Sequence, residues 1–255
     1  MSRKWMMTVA LALAVVGAGP ASASRYGRSN FPADVAGAVA DPRRPAADVA
    51  RDAARKPADM LTFAELKPGQ VVGELLPGGG YFTRLFSKAV GPKGQVYAVI
   101  TKAQANGDKP PPVNAIAADP SYANVKVVAA DLAKLQLPKK ADLVWTSDNY
   151  HDLHLKKYGL DVVAVNRAIY GALKPGGLYV VVDHAAAPGS GLDVPDKLHR
   201  IDPAIVRREV EAAGFRLVAE SQVLRNPADD HSRTVFDPAI RGHTDQFVLK
   251  FRKPN

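Results

Sequence analysis

The densest group of polar side chains in the sequence is the run from Asp148 to Asp152, which directly follows a short apolar segment. Within it, His151 is the first candidate for a general base, because a histidine pKa near ~6.5 suits proton removal at neutral pH. Asp152 can orient that histidine or bind a substrate. A second candidate base, His184, follows Asp183 at the end of another apolar segment. These residue types predict proton-transfer chemistry.

The same residues also have structural interpretations. Asp152 can be the N-cap of the helix that follows, which would explain the polar run without any chemistry. His184 can equally be a histidine that is hydrogen-bonded within its own loop. Tyr150, inside the run, can line a ligand pocket. The sequence leaves these alternatives open.

Acidic residues and histidines in this region also bear on metal binding. Asp148 or Asp152, together with Asp183, can in principle share a divalent cation through oxygen ligands. His151 and His154 are three residues apart, but two histidines do not make a metal site. The chain has no cysteine, which excludes disulfides and thiolate metal sites. Local capping is the simpler explanation, and we predict no metal site.

A glycine-rich bend separates a predicted strand from a predicted helix. Glycines there let the backbone approach a ligand closely, since no side chain intervenes and positive φ is permitted. The bend follows a central strand, where open α/β sheets bind ligands; the alternative is a tight turn with no ligand. The candidate binding residues are Glu74 at the end of the strand and Pro77, Gly78, Gly79 and Gly80 in the bend.

The bend does not match a dinucleotide fingerprint. In the pattern G-x-G-x-x-G counted from Gly78, Thr83 occupies the position of the third glycine. The pattern also requires an acidic residue about 20 positions later, at the end of the second strand. That strand ends at Thr101 and offers no acid. A nicotinamide dinucleotide is therefore disfavoured as the ligand.

Short valine-rich apolar runs alternate with helical segments along most of the chain. Continuous apolar runs are typical of strands buried on both faces of a parallel sheet, and their alternation with helices predicts an open, doubly wound α/β sheet. The first five predicted strands are Val71–Leu76, Val96–Ile100, Val125–Val128, Leu143–Thr146 and Leu178–Val182. A helix interrupted at Pro57 is predicted at Ala46–Ala64, before the first strand. The later predicted helices are Tyr81–Val90, Val113–Ala118, Leu160–Leu173 and Ala204–Ala213.

Two further strands are predicted near the end of the chain, at Arg216–Leu224 and Gln246–Arg252. No helix separates them, which predicts an antiparallel pair at the edge of the sheet. The segment 226–243 between them is rich in Asp, His and Arg. It is either a cover over a substrate or a surface connection held by its own salt bridges.

Between residues 44 and 253 the chain resembles the class I S-adenosylmethionine-dependent methyltransferases, and more narrowly an exported bacterial branch of predicted methyltransferases. Asp131 after the third strand and the turn Lys174-Pro175-Gly176-Gly177 before the fifth are part of the resemblance. Its most distinctive segments are Pro77-Gly78-Gly79-Gly80-Tyr81-Phe82-Thr83, Asn149-Tyr150-His151-Asp152-Leu153, Asp183-His184-Ala185-Ala186-Ala187-Pro188-Gly189 and Leu224-Arg225-Asn226-Pro227-Ala228-Asp229-Asp230.

The resemblance implies a Rossmann-like, mostly parallel sheet of seven strands, with an antiparallel last strand inserted between the fifth and sixth. It implies S-adenosylmethionine as cofactor, with Glu74 facing its amino acid end, Gly78 and Gly80 forming the floor, and Asp131 receiving the adenine amino group. The sequence departs from the family pattern at two places. Leu76 stands where the first glycine is usual, and the acid for the ribose is missing after the second strand.

The first residues differ in character from the rest. Arg3 and Lys4 precede an apolar stretch and the small residues that end at Ser24, which is the pattern of a signal peptide. The apolar stretch is shorter than the ~20 residues of a membrane span, which favours a cleaved signal peptide over the alternative of a permanent membrane anchor. We predict a signal peptide at 1–23, a linker at 24–45 and a methyltransferase-like domain at 46–255, in the periplasm or secreted, with no membrane span after cleavage.

Charge bears on possible partners. The formal net charge is +9, which loss of the two basic residues near the start lowers to +7. The basic residues are scattered and lack interleaved aromatics, so we predict no nucleic-acid partner. The expected function is methyl transfer to a small-molecule or envelope acceptor. The alternatives are a non-catalytic protein that binds a nucleoside or S-adenosylmethionine, and a basic envelope protein with no small-molecule site.

Overall fold

The computed structural model describes residues 31–255. The predicted signal peptide and residues 24–30 of the predicted linker lie outside the described residues. Within 31–255, none of the helices has both the length and the apolar character that a membrane span requires.

A single seven-stranded sheet forms the centre of this domain, with strand order β3-β2-β1-β4-β5-β7-β6. Strands β1 to β5 run parallel to one another, and β7 is antiparallel to both β5 and β6. The predicted fold class is therefore confirmed, including the antiparallel strand inserted between the fifth and sixth. The strands are β1 Val71–Leu75, β2 Gln95–Thr101, β3 Val125–Ala130, β4 Ala141–Ser147, β5 Leu173–His184, β6 Arg216–Ser221 and β7 Gln246–Arg252.

Burial explains why the central strands have continuous apolar sequences and the edge strand does not. Residues 72–75 of β1 are all buried, because helices cover both faces of the sheet there. In β6, exposed and half-buried residues alternate along the strand. This alternation is expected where one face of an edge strand meets solvent.

Helices pack on both faces of the sheet. On one face, Leu85 and Phe86 of α5 pack in the same buried core as Trp145 of β4. On the other face, Ile169 of α8 and Tyr179 of β5 belong to a second buried core. The helices are α1 Ala33–Val39, α2 Ala46–Val49, α3 Asp52–Arg55, α4 Pro57–Phe63, α5 Tyr81–Val90, α6 Lys102–Ala105, α7 Val113–Ala118, α8 Val162–Ala172, α9 Val194–Leu198 and α10 Pro203–Ala212.

The linker prediction is wrong for part of its range. Residues 33–39 form helix α1, whose Val35 is 0% exposed and belongs to the main core. Arg44, also inside the predicted linker, is buried and pairs with Asp52. Seven helical residues give only two turns, too few to show a sustained helical period in the sequence. The domain therefore begins before residue 46.

The topology brings the two candidate groups of the sequence together. Strands β1 and β4 are adjacent and parallel, with Leu75 opposite Thr146 at their carboxyl ends. The glycine bend follows β1 and the polar run follows β4, so both lie at the same edge of the sheet. This edge is where open α/β sheets bind ligands.

Candidate functional site

A cavity of about 880 Å³ lies at the carboxyl ends of β1, β2 and β4, and we call it the recess. Its volume falls within the ~300–1,000 Å³ typical of small-molecule sites. Its floor includes Gly78 and Gly79 of the glycine bend, and its walls include Glu74 and Asp152. The recess thus joins the predicted binding residues to the predicted chemical residues.

Two features of the glycine bend shape the recess. Gly80 has φ of 76°, a conformation that strains other residues, and a Cβ placed there would lie 2.1 Å from Ile116 Cδ1 and force that side chain to move. Gly79 lines the recess, and a Cβ there would meet no atom within 4 Å. Gly79 therefore opens onto empty space, whereas Gly80 packs α5 closely against α7.

Leu76 stands where the family pattern usually has glycine, and its backbone conformation shows why glycine is usual there. Its φ of 50° lies in the left-handed region, where glycine is the usual residue. The side-chain amide of Asn149 donates a hydrogen bond to the carbonyl of Leu76 at 3.1 Å and another to that of Ser147 at 2.9 Å. Asn149 therefore joins the ends of β1 and β4 and holds the strained residue in place.

Glu74 is an unusual carboxyl group for a ligand site. It is buried, lines the recess, and accepts a hydrogen bond from the Thr83 hydroxyl. Burial raises the pKa of Glu74 to about 8, although the hydrogen bond from Thr83 and the charge of Arg55 oppose the shift. At neutral pH the carboxyl is therefore mostly protonated, and a cationic group beside it would favour its ionised form.

Glu74→Gln should make the folded chain more stable relative to the wild type as pH rises. The wild-type fold keeps a proton on Glu74 that the unfolded chain releases above pH 4.5, so it loses stability between pH 4.5 and about 8. The expected slope is up to about 1.4 kcal/mol per pH unit. Urea denaturation of both proteins across this window measures the difference. Parallel stability curves would contradict the raised pKa.

The sequence predictions missed several residues of the recess. Thr101, the last residue of β2, and Gln104 line the recess at the carboxyl end of that strand, where the family pattern would have an acid that binds the ribose. They form a capping box at the start of α6, and the Thr-x-x-Gln spacing is the sequence signal that could have found them. Arg55 of α3 and Arg51, the N-cap residue of that helix, also line the recess. No local pattern indicates them, because tertiary packing brings them there.

Asp131 lies at the predicted edge of the sheet but is not among the residues that line the recess. It follows β3, and one of its carboxylate oxygens accepts a hydrogen bond from the backbone N–H of Ala133 at 3.1 Å. The next residue, Leu132, does line the recess. Glu74, Pro77, Gly78 and Gly79 are thus brought together around the recess, with Asp131 just outside its lining.

His151 belongs to a polar group that we call the histidine cluster, composed of the buried His151 and Asp183 and the half-buried Asp152 and His199. The ring Nδ1 of His151 lies 2.8 Å from Asp183 Oδ1, and the backbone N–H of His151 donates to Asp183 Oδ2 at 2.7 Å. Burial raises the pKa of Asp183, but the charge and hydrogen bond of His151 outweigh it and lower the pKa overall. Burial lowers the pKa of His151, and the attraction of Asp183 outweighs it and raises the pKa.

The interpretation of Asp152 as a helix N-cap is wrong. His151–His154 form a 3-10 turn whose N-cap is Tyr150, and no side chain caps it. The Asp152 carboxylate instead lies 3.4 Å from His151 Nε2 and 3.8 Å from His199 Nδ1, at the wall of the recess. Burial raises the pKa of Asp152 above its ordinary value. This carboxylate therefore connects the histidine cluster with the recess.

Two other predicted residues lie away from the recess. Tyr150 is 0% exposed and hydrogen-bonds with Glu209 and Asn166, so the prediction that it lines the pocket is wrong. His184 Nδ1 lies 2.7 Å from the Thr244 hydroxyl, which agrees with the alternative of a histidine bonded within its surroundings. Its ring centroid is 6.0 Å from that of His151, and His184 is not part of the recess lining.

Ion pairs hold the segment 226–243 in place. Asp229 accepts from the fully buried Arg200, and Arg233 pairs with Asp237. His231 lies 2.9 Å from Asp245. Within residues 31–255, the lining of the recess takes nothing from this segment. The arrangement agrees with an ordered connection held by its own salt bridges.

The sequence matches no family profile and no curated protein, but its fold is similar to solved structures. A S-adenosylmethionine-dependent methyltransferase from Aquifex aeolicus is 19% identical with a TM-score of 0.55, over 76% of this chain and 88% of that one. A second, from Mesorhizobium loti, is 19% identical with a TM-score of 0.53, over 79% and 99% of the two chains.

A third similar structure has the same kind of name. A protein provisionally named as a sarcosine dimethylglycine methyltransferase, from Galdieria sulphuraria, is 15% identical with a TM-score of 0.59, over 88% of this chain and 91% of that one. These identities are low, so the similarity concerns architecture. The chain has the seven-stranded α/β fold of the S-adenosylmethionine-dependent methyltransferases.

Proposed function

We propose that the chain binds S-adenosylmethionine in the recess and transfers its methyl group to an acceptor that enters beside the histidine cluster. The observation that carries this proposal is the convergence of three features on one cavity of about 880 Å³. These are the glycine bend, the buried Glu74 and the carboxylate of Asp152. They converge at the carboxyl edge of a sheet with the strand order of the methyltransferase fold.

The residues of the recess suit the chemical groups of this cofactor. Glu74, a buried carboxyl with one hydrogen-bond donor, fits the α-ammonium group, whose charge would favour the ionised carboxylate. The backbone at Gly78 and Gly79 can lie against the methionine portion. Thr101 and Gln104 offer a hydroxyl and an amide for the ribose in place of the missing acid. Bound here, the cofactor would supply an electrophilic methyl group.

Asp152 and His151 are positioned to remove a proton from the acceptor. Methyl transfer demands a nucleophile held about 3–3.5 Å from the methyl carbon, and a base only when that nucleophile begins protonated. Asp152 faces the recess, and burial raises its pKa. It is therefore a stronger base than an exposed aspartate. His151 Nε2 lies 3.4 Å from it and can stabilise or relay a proton accepted there.

Calorimetry with S-adenosylmethionine and with S-adenosylhomocysteine tests the binding step. We expect one equivalent of each to bind, and Glu74→Gln to weaken both, because both ligands carry the α-ammonium group. Absence of heat with either ligand would overturn the proposal. Methyl-labelled cofactor, offered with small hydroxyl-bearing and amine acceptors or with envelope extracts, tests transfer.

In the transfer assay Asp152→Asn should lose turnover and still bind cofactor. The strained Leu76 and the missing ribose acid favour one alternative, a protein that binds the cofactor without catalysis. Binding without transfer to any acceptor, together with unchanged binding in Asp152→Asn, would support that alternative.

We also propose that residues 1–23 direct export and that the domain acts in the periplasm or outside the cell. The order of basic, apolar and small residues supports this. Residues 1–24 fused to a reporter that is active only outside the cytoplasm should give activity, and Arg3 and Lys4 replaced by Glu should reduce it. A reporter that stays inactive would contradict export.

A further inference from the structure

The geometry points to a divalent metal site, of the kind that zinc occupies, formed by His151, Asp152 and His199 at the wall of the recess. One potential ligand atom from each of the three residues lies within 4.8 Å of the other two. Metal binding at this site does not depend on the proposed methyl transfer. The role suggested for it below does rest on that function.

The distances between the ligand atoms match those around a tetrahedral ion. His151 Nε2 lies 3.3 Å from His199 Nδ1 and 3.4 Å from Asp152 Oδ1, and the latter two atoms are 3.8 Å apart. Zinc binds histidine nitrogen and carboxylate oxygen at about 2.0–2.2 Å, which places tetrahedral ligands roughly 3.3–3.6 Å from one another. Two nitrogens and one oxygen thus lie near three corners of a coordination tetrahedron.

The tautomer of His151 directs a lone pair into this space. Its Nδ1 lies against Asp183 Oδ1, an acceptor, so the neutral ring carries its proton on Nδ1 and leaves Nε2 unprotonated. Metal-binding histidines commonly donate their other ring N–H to a carboxylate in this way. Asp183 is itself fixed by the backbone N–H groups of His151 and His184. The ring orientation is therefore set before any ion binds.

The position of His199 is equally fixed. It caps α9 in the left-handed conformation with φ of 54°, which is uncommon for a residue other than glycine. Arg200, next to it, is 0% exposed and bonded to Asp229 and to two backbone carbonyls. Phe236 packs edge-on against the His199 ring, with centroids 4.8 Å apart. Backbone strain that the surroundings hold in place is typical of functional sites.

The polar contacts between these three side chains are long. With the His151 ring neutral, its Nε2 and the Asp152 carboxylate are both acceptors, and a proton on His199 Nδ1 can lie between them. That proton would be shared over 3.3 Å and 3.8 Å, which is long for good hydrogen bonds. The His151 residue itself is 3% exposed. A cation would satisfy all three atoms together.

The proposed metal would have an open position. Three protein ligands leave a fourth position free, as in catalytic zinc sites, and Asp152 places that position beside the recess. A hydroxyl group bound there would lose its proton more readily, because a coordinated metal lowers the pKa of its oxygen ligand. On the proposed function, the acceptor would then be a small molecule whose hydroxyl or phenol oxygen binds the metal. His151 and Asp152 would then be metal ligands instead of a proton relay and a base, and the proton released from the acceptor would pass to water.

Metal titration of the full chain tests the site. The protein, purified without a histidine tag and stripped with a chelator, is titrated with Zn²⁺ by calorimetry and with Co²⁺ by visible absorption. We expect one equivalent of each and the intense visible bands of tetrahedral Co²⁺. His199→Asn, which suits the left-handed backbone, should weaken binding by at least the ~10–100-fold that loss of an outer-shell partner costs. Asp152→Asn should act similarly.

Exposed His243 supplies the matched control, because His243→Ala removes a surface histidine and should leave the affinity unchanged. Circular dichroism checks that each variant is folded. Binding of equal strength in His199→Asn and wild type, or no stoichiometric binding by the folded wild type, would overturn the site. Cofactor calorimetry in chelator separates the two proposals. Cofactor binding without metal binding removes only the metal site, and metal binding without cofactor binding removes only the proposed function.

Discussion

Gly79→Phe should abolish S-adenosylmethionine binding while leaving the fold intact. Gly79 lines the recess, and a Cβ there meets no atom within 4 Å, so the added ring projects into space that the cofactor would occupy. Its backbone does not need the left-handed conformation that Gly78 and Gly80 adopt. We expect the dissociation constant to rise at least ~100-fold, which is about 2.7 kcal/mol. Calorimetry with cofactor and a thermal melt measure the two effects.

Two variants make this result specific. Gly79→Ala adds one methyl group at the same place and should weaken binding far less than Gly79→Phe, because most of the recess stays free. Gly37 also meets no atom within 4 Å of an added Cβ but lies in α1, and Gly37→Phe should bind cofactor as the wild type does. If Gly79→Phe binds cofactor normally and is folded, the ligand does not lie on the glycine bend.

The same bend shows how much of the architecture the sequence predicts. Strands buried on both faces of a parallel sheet have continuous apolar sequences, which made them recognisable. The predicted ends of strand Gln246–Arg252 and of helices Tyr81–Val90 and Val113–Ala118 agree with the observed ends. Adjacent parallel strands then bring β1 and β4 to one edge of the sheet, which places Glu74 near Asp152. These results follow from local pattern and topology.

The errors have a common physical origin in contacts between distant parts of the chain. Helix α1 is too short to show a period, and packing against α5 and α4 stabilises it. Asp152 follows a helix-capping pattern, yet its carboxylate turns towards His151 and His199. His199 comes from the segment after β5, so the sequence pair His151 and His154 gave no indication of it. His154 instead lies 3.0 Å from Glu209.

Replacing Asp183 should lower the free energy of unfolding strongly, because Asp183 holds His151 of the histidine cluster in place. It is 0% exposed and accepts three hydrogen bonds, from the His151 ring and from the backbone N–H groups of His151 and His184. Asp183→Ala removes the acceptor and leaves these donors buried without partners. We expect a loss of about 3–5 kcal/mol in the free energy of unfolding. Urea denaturation in the presence of a chelator measures it without a contribution from bound metal.

A conservative variant of Asp183 and a surface control test whether the loss of stability comes from the buried hydrogen bonds. In Asp183→Asn one oxygen remains for the His151 ring, but the amide must face the backbone N–H of His151, so the loss should lie between those of wild type and Asp183→Ala. Asp193 pairs with Lys156 on the surface, and Asp193→Ala should hardly move the denaturation midpoint because exposed ion pairs contribute little. If Asp183→Ala is as mild as Asp193→Ala, water satisfies the three donors. The histidine cluster would then be wetter and looser than its burial indicates, and His151 would not be held in the orientation that either base or ligand requires.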